Sequence, residues 1–308
     1  MTPLELRDAI NTNVDIRLQN AGTVFESQNQ WSVRDHEKLE YKLNPKFWMY
    51  GTDFSGCAVS HVLPNGTVGW KKTITLITPS IGICSNHYTL PAGTTVYFRD
   101  KNGEVIGRKI AQKVAHPWYK LNTNFDFNIC LFDEPFPSTV SPLHILPDDW
   151  KKYIDDNGKG LPILQFDQID DVGCAEIFNI DNGQGLHQNQ FPPNGTRRRE
   201  FYENLVGGDS SDPCILMIYD YPILLTTWRY GGAGVGCSLV SQSKWVDDTC
   251  MNLANEKPLR YDLSDPKAKP RKRTCGPIGG NTNAGVCMFS DRYIKYLLKK
   301  IRRVFKRR

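Results

Sequence analysis

From residue 44 onwards the sequence is a succession of short apolar or alternating runs broken by Gly, Asn and Pro, and this pattern constrains the fold most. The runs, each of four to six residues, are 47–50, 57–62, 73–78, 94–98, 127–132, 161–166, 175–178, 214–219 and 223–228. Runs of this length with frequent turn residues and little helical periodicity are typical of antiparallel strands. We therefore expect an all-β fold, a sandwich or a pair of barrels.

Two connections between these runs have the composition of tight hairpin turns. Asp100-Lys101-Asn102-Gly103 follows the run at 94–98, and Pro64-Asn65-Gly66 separates Val62 from Val68. Asn-Gly favours the left-handed backbone of two-residue turns, so each segment predicts a hairpin.

Composition changes divide the chain into four parts. Residues 1–43 are a polar N-terminal extension with a possible short helix from Pro3 to Ile10, and residues 44–254 form the main domain. Helical spacing of Trp245, Val246, Thr249 and Leu253 predicts a short helix that closes this domain. Residues 255–290 are a Pro-, Gly- and Lys/Arg-rich linker, and residues 291–308 form a basic amphipathic helix.

The net charge of +5 conceals a basic tail. Residues 256–308 contain sixteen Lys and Arg against four Asp and Glu, which is a net charge of +12 and leaves −7 for residues 1–255. A basic amphipathic helix suits an anionic membrane surface, nucleic acid or an acidic partner. The alternative is a solvated, packed or disordered terminus without a binding role.

Cysteine spacing and the N-terminal sequence bear on metals and localisation. Nine cysteines lie between Cys57 and Cys287 without a C-x-x-C pair, so we expect no zinc site and no complete disulfide framework. The N-terminus lacks the apolar core of a secretory signal, and no run is long enough to span a membrane, which favours a cytoplasmic or virion-associated protein.

The segment 207–213, Gly-Gly-Asp-Ser-Ser-Asp-Pro, places a serine on a tight turn directly before a buried strand. Gly208 allows two backbone N–H groups to converge on one point, as an oxyanion hole beside the Ser210 hydroxyl requires. A serine hydroxyl is inert near neutral pH without a base and an orienting acid.

His87 is the histidine best placed to be that base, because it follows a strand that ends in a tight turn of small residues. His36 and His187 lie in polar segments that we expect to be exposed, and His61 lies inside a strand. For any single histidine, a solvated or hydrogen-bonded structural residue is the alternative.

Asp126 is the predicted acid. It stands at the head of an apolar strand with Phe on both sides, where a carboxylate is costly to bury unless it is paired, and the His87 Nδ1–H would satisfy it. Asp133, at the far end of the same strand, is the second candidate, and a capping role for Asp126 is the structural alternative.

These motifs resemble, in their chain order, those of the chymotrypsin/trypsin-like serine peptidases, and most of all the divergent bacterial, phage or large-virus members. Residues 76–87 resemble the strand that leads to T-A-A-H-C, residues 126–131 resemble D-I-A-L-L, residues 208–213 resemble G-D-S-G-G-P, and residues 226–232 resemble the S-W-G strand that pairs with the substrate backbone. The resemblance covers about residues 45–254.

The resemblance implies two packed antiparallel β-barrels and a serine endopeptidase that hydrolyses a polypeptide substrate without a cofactor or metal. It assigns His87, Asp126 and Ser210 to the triad and the backbone N–H groups of Gly208 and Ser210 to the oxyanion hole. It also implies that the substrate contacts Thr227, Trp228 and Arg229, and that Asn204, six residues before Ser210, stands where the specificity pocket has its selector. A neutral side chain there argues against selection for Lys or Arg.

The sequence departs from the family pattern around the nucleophile. Ser211 and Asp212 replace two glycines, which costs about 1 kcal/mol or more if either position needs a positive φ. No family-like N-terminus is seen to pair with Asp209, which therefore needs other partners. These departures support an alternative, a catalytically impaired pseudopeptidase that binds a peptide or forms part of a particle.

Overall fold

Short strands dominate the computed structural model, which describes residues 2–169 and 171–264. The helices are α1 (Pro3–Asn20), α2 (Val24–Ser27), α3 (Arg197–Glu200) and α4 (Ser243–Ala254), with 3-10 turns at Asn86–Tyr88, Trp150–Lys152 and Asp156–Gly158. The strands are β1 (Trp31–Asp35), β2 (Glu40–Leu43), β3 (Ala58–Val62), β4 (Val68–Gly69), β5 (Thr75–Leu76), β6 (Ile81–Ser85), β7 (Thr95–Arg99), β8 (Val105–Ala115), β9 (Phe127–Phe132), β10 (His144–Ile145), β11 (Pro162–Phe166), β12 (Val172–Asn179), β13 (Leu186–Gln190), β14 (Pro213–Ile218), β15 (Tyr221–Tyr230) and β16 (Val235–Cys237).

The later strands form a closed barrel. Their order is β10-β15-β14-β11-β12-β13-β16, and β15 also pairs with β16, which closes six of the strands into a ring. β10 adds to β15 in parallel, with His144 opposite Ile223. Closure leaves the six strands of the ring without an unpaired edge of the kind that promotes aggregation.

The earlier strands form a second large sheet, in the order β4-β3-β7-β8-β9-β6-β5. Its last strand, β5, meets the chain just before β3 at a single bridge between Cys57 and Thr75. The described residues thus contain a closed six-stranded barrel and a second large sheet, where the sequence led us to expect two barrels.

Most of the predicted strands and both hairpins are confirmed. The β3–β4 hairpin turns at Gly66 and the β7–β8 hairpin at Gly103, and both glycines have positive φ. The prediction of a strand at 47–50 is wrong. These residues form turns, with the N–H of Phe47 donating to Asn44 O and that of Tyr50 to Phe47 O, while Phe47, Trp48 and Met49 point into the core.

The N-terminal helix is longer than the predicted Pro3–Ile10 segment and packs on the barrel. A capping box between Thr2 and Glu5 begins it. One face is buried, and its members are Leu6, Ile10, Val14 and Leu18. Arg198 joins the helix to the barrel by ion pairs with Asp15 at 2.7 Å and with Glu176 at 2.9 Å. The start of the chain is therefore part of the core and not a detached extension.

The predicted closing helix is present as α4, and the chain after it contacts both the second sheet and β10 beside the barrel. Glu256 accepts hydrogen bonds from the Ser80 N–H at 3.2 Å and the Ser80 hydroxyl at 2.8 Å. Ile145 of β10 exchanges backbone hydrogen bonds with Leu259 and Tyr261, so residues beyond the predicted boundary at 254 also pack on the main domain. The rest of the predicted linker, from residue 265, and the basic helix 291–308 lie outside the described residues.

A search of the described part of the chain for a membrane-spanning helix finds none that is both long and apolar enough.

Candidate functional site: a Ser-His-Asp arrangement

Pairing of β6 with β9 brings His87 and Asp126 together. Ser85 lies opposite Phe127 in this antiparallel pair, so the residues just beyond each strand end are neighbours. The backbone N–H of His87 donates to Asp126 Oδ1 at 3.0 Å, and His87 Nδ1 lies 2.5 Å from Asp126 Oδ2. An ionised carboxylate can only accept, so Nδ1 carries the proton and Nε2 is left as an acceptor. Asp126 is only 1% exposed, which fits the expectation of a buried, paired acid.

Ser210 completes the chain of hydrogen bonds from the barrel side. It lies in the turn that precedes β14, and its Oγ is 2.9 Å from His87 Nε2. The structure thus brings together the three residues that were predicted from their order in the sequence. Asp133, the second candidate acid, lies at the other end of β9, where it accepts a hydrogen bond from the Lys109 N–H.

The backbone N–H groups of Gly208 and Ser210 are free for a ligand. Within the described residues, neither amide donates to a protein acceptor. Gly208 has φ +117°, a backbone conformation that favours glycine, and a Cβ there would also lie 2.4 Å from the amide end of Gln168, which would have to move. Gln168 also donates to Gly207 O at 3.3 Å and so supports the loop from behind. An unsatisfied pair of amides beside a nucleophile is what an oxyanion hole requires.

Ser211 has the positive φ that the sequence left undecided between Ser211 and Asp212. Its φ is +82°, and its side chain is fully buried. Its Oγ accepts the Ser85 N–H at 3.0 Å and donates to Tyr88 O at 3.4 Å, while its own N–H donates to Trp228 O. These hydrogen bonds connect β6 of the sheet to β15 of the barrel directly beneath His87 and Ser210.

Asp209 is satisfied by backbone groups instead of a chain terminus. Its carboxylate accepts the Val206 N–H at 2.6 Å and the Gln168 N–H at 3.3 Å. Asp212 is also buried, and its backbone pairs with Trp228.

The pKa of Tyr88, the residue after His87, is raised above its usual value. Burial is the main cause, and the nearby negative charges of Asp212 and Asp209 add to it.

The residues expected to contact a substrate are placed differently from one another. Asn204 is exposed and accepts a hydrogen bond from the Tyr202 hydroxyl. Thr227 is buried with its hydroxyl 3.1 Å from that of Ser85. Trp228 is 1% exposed and its indole N–H donates to Phe166 O, so its ring belongs to the core of the barrel.

Arg229 turns towards the acid of the triad. Its Nε lies 3.8 Å from Asp126 Oδ2, and its Nη1 donates to Asn124 Oδ1 at 3.3 Å. The guanidinium also lies over the ring of Tyr230, 4.3 Å from its centroid. Sequence reasoning gave Arg229 a role with substrate and missed this contact. The sequence did contain a signal for this contact. Arg229 follows Trp228, an aromatic residue expected in the core, and a cation that is buried beside it needs a counter-charge.

An open cleft of about 520 Å³ lies next to Asp126. Loop 116–126, the β12–β13 turn and the start of α4 surround it, and its lining includes Trp118, Phe125, Asn124, Gln184 and Gln242. Asn124 is shared between this cleft and the Arg229 contact, so the cleft wall is one hydrogen bond away from the group that faces Asp126.

Three acidic side chains near the Ser210 turn have ligand atoms within 4.8 Å of one another, namely those of Asp167, Asp171 and Glu203. Burial raises the pKa of Asp167 to about 7 and raises the pKa of the other two as well. Carboxylates in this arrangement can offer oxygen ligands to a hard cation, but none of them contacts His87 or Ser210.

No protein-family model matches this sequence, and no curated protein matches it either. The chain is mostly β with a closed six-stranded barrel, and this architecture is compatible with a trypsin-like fold.

Proposed function

We propose that this protein is a serine endopeptidase of the trypsin-like kind, which cleaves a polypeptide through an acyl-enzyme intermediate. One observation carries the proposal, the continuous chain from Asp126 Oδ2 through His87 to Ser210 Oγ, with links of 2.5 Å and 2.9 Å. Both links lie within the reach that proton transfer requires.

Each residue has a defined part in the proposed reaction. Ser210 Oγ attacks the scissile carbonyl carbon while His87 Nε2 takes the hydroxyl proton, and Asp126 stabilises the resulting imidazolium. The amides of Gly208 and Ser210 donate to the developing oxyanion, and one such donor contributes about 2.7–4 kcal/mol in enzymes where its loss has been measured. His87 then protonates the leaving amine, and water releases the acyl group by the reverse path.

Covalent labelling with a fluorophosphonate tests the proposal, because the reagent reacts only with an activated hydroxyl. We expect stoichiometric labelling of the wild-type chain at Ser210, none in Ser210→Ala, and a rate lowered by about 10⁴-fold in Asp126→Asn, which presents the wrong hydrogen-bonding partner to His87. Peptide fragments from an unfolded protein substrate, identified by mass spectrometry, then show whether the acyl group comes from a peptide bond.

The same experiment separates the peptidase from a pseudopeptidase. The positive φ of Ser211 and the burial of Asp212 beside the nucleophile are the observations that favour an impaired site. A folded wild-type chain that resists the reagent as Ser210→Ala does would exclude the peptidase and favour a barrel that binds without cleaving.

A further inference from the structure

Two basic side chains lie beside Asp126, and the proposed reaction uses only one of them. His87 is the first, and Arg229 is the second, with its Nε 3.8 Å from Asp126 Oδ2. The side chain of Arg229 is 7% exposed and that of Asp126 is 1% exposed. Solvent screens a pair this deeply buried less than it screens a pair at the surface.

Besides Asp126, two residues hold the guanidinium in place. Asn124 Oδ1 accepts from Nη1, and the Tyr230 ring stacks against its face at 4.3 Å. Asn124 in turn donates to Gln184 O in the β12–β13 turn at 3.3 Å. A planar, pre-oriented cation of this kind differs from a mobile lysine at the surface.

We propose that Arg229 is a positioning residue of the triad, which fixes Asp126 against His87 and sets the pH range in which His87 can accept the Ser210 proton. This inference rests on the proposed function. A fixed positive charge beside Asp126 shares the carboxylate with the imidazole and opposes a second positive charge on the ring.

Other ionisable groups in the described chain also lie near Asp126 or Arg229. They are Tyr119 in the loop before β9, Tyr230 beside Arg229, Cys237 in β16, and Cys84 in β6. Burial raises the pKa of Tyr119 and of Cys237, so these two groups are neutral in the range where imidazole titrates. On the barrel side, Asp209 and Asp212 place carboxylates near Tyr88, the residue after His87, and Arg229 is the guanidinium that faces Asp126 itself.

Four proteins test the inference: wild type, Arg229→Gln, Arg229→Lys, and the control Arg7→Gln, which breaks a surface ion pair with Asp155. We would measure the rate constant of fluorophosphonate labelling from pH 5 to pH 9. In Arg229→Gln the pH of half-maximal rate should rise by about one unit, as expected for loss of a close charge. Arg229→Lys should keep the wild-type midpoint but have a lower maximal rate. Lysine keeps the positive charge but lacks the planar guanidinium, with its fixed set of N–H donors. Arg7→Gln should change neither quantity.

An unchanged midpoint in Arg229→Gln, or equal midpoints in the Lys and Gln variants, would overturn the inference while wild-type labelling still supports the peptidase. NMR titration of the His87 ring in the same proteins separates the two ideas further. It should show the same one-unit rise in Arg229→Gln even if Ser210 proves unreactive.

If Arg229→Gln does not fold, Asn124→Ala provides the second variant. It frees the guanidinium without removing its charge, and it should lower the maximal rate at an unchanged midpoint.

Discussion

At the scale of single residues, the backbone of Ser211 is strained and its side chain is hydrogen-bonded. A left-handed φ costs a residue with a Cβ about 1–2 kcal/mol relative to glycine. Loss of the Oγ would leave the buried Ser85 N–H without its acceptor, at a cost of about 1–3 kcal/mol. The cost of the left-handed φ and the gain from the Oγ hydrogen bonds are of similar size. A serine is therefore tolerated at a position where the family that the sequence resembles has glycine.

This balance predicts an order of stability for two substitutions. Ser211→Ala keeps the strain and loses the hydrogen bonds, so it should lower the free energy of unfolding by about 1–3 kcal/mol. Ser211→Gly loses the same hydrogen bonds but relieves the strain, so it should be less destabilised by about 1 kcal/mol or more. Urea unfolding followed by tryptophan fluorescence measures both. A glycine variant less stable than the alanine variant would contradict the account.

At the scale of elements, hydrophobic patterns revealed the buried strands but not the half-exposed ones. β9 and β14 are buried along nearly their whole length and read as apolar runs. β8 consists of partly or fully exposed residues apart from the buried Ile110, so its sequence carries no comparable signal. β13 is polar as well, and the expectation that its His187 is exposed is wrong, because barrel closure buries that side chain completely. Whether such a segment forms a strand depends on the strands that it pairs with, and the hydrophobic pattern of a single sequence does not show that pairing.

Helix α1 was also predicted only in part, because the sequence indicated its first half and not its second. Asn and Asp residues interrupt its sequence after Ile10, and their weak helix propensity concealed an apolar face that continues to Leu18. Contact with the barrel stabilises the second half of the helix. The candidate site was easier to anticipate, because the order and local motifs of His87, Asp126 and Ser210 are properties of the sequence, whereas the approach of Arg229 to Asp126 is a property of the folded chain.

The packing of α1 predicts that one face of the helix carries its contribution to stability. Ile10 is fully buried between helix and barrel, whereas Leu4, on the same helix, is 63% exposed. Ile10→Ala should lower the free energy of unfolding by about 2–4 kcal/mol, and Leu4→Ala by less than about 0.5 kcal/mol. Chemical denaturation of the full chain checks both. Equal small effects would mean that α1 does not belong to the cooperative core.

At the scale of the whole molecule, folding buries three neutral histidines. Burial lowers the pKa of His36, His61 and His187 to about 4 each. An unfolded chain binds these protons near pH 6.5, so between pH 6.5 and pH 4 it holds more protons than the native state. Asp167 acts in the opposite direction, because burial raises its pKa to about 7 and the native state then binds a proton that the unfolded chain lacks.

Smaller shifts accompany these large ones: burial also lowers the pKa of His116, and it also raises the pKa of Asp171, Glu203 and Asp247. Three large histidine shifts against one large carboxyl shift predict that the protein loses stability as the pH falls. Each fully buried histidine contributes up to about 1.4 kcal/mol per pH unit, and partial exposure of His36 reduces its share. The free energy of unfolding should therefore decrease from pH 7 to pH 5. His187→Gln should reduce the slope of this decrease, and Asp167→Asn should make the decrease steeper, because it removes the carboxyl with the largest opposing shift. Urea unfolding at half-unit pH intervals measures all three slopes. Opposite changes in the two variants identify the protons responsible, whereas a flat wild-type profile would mean that the histidines become protonated without unfolding.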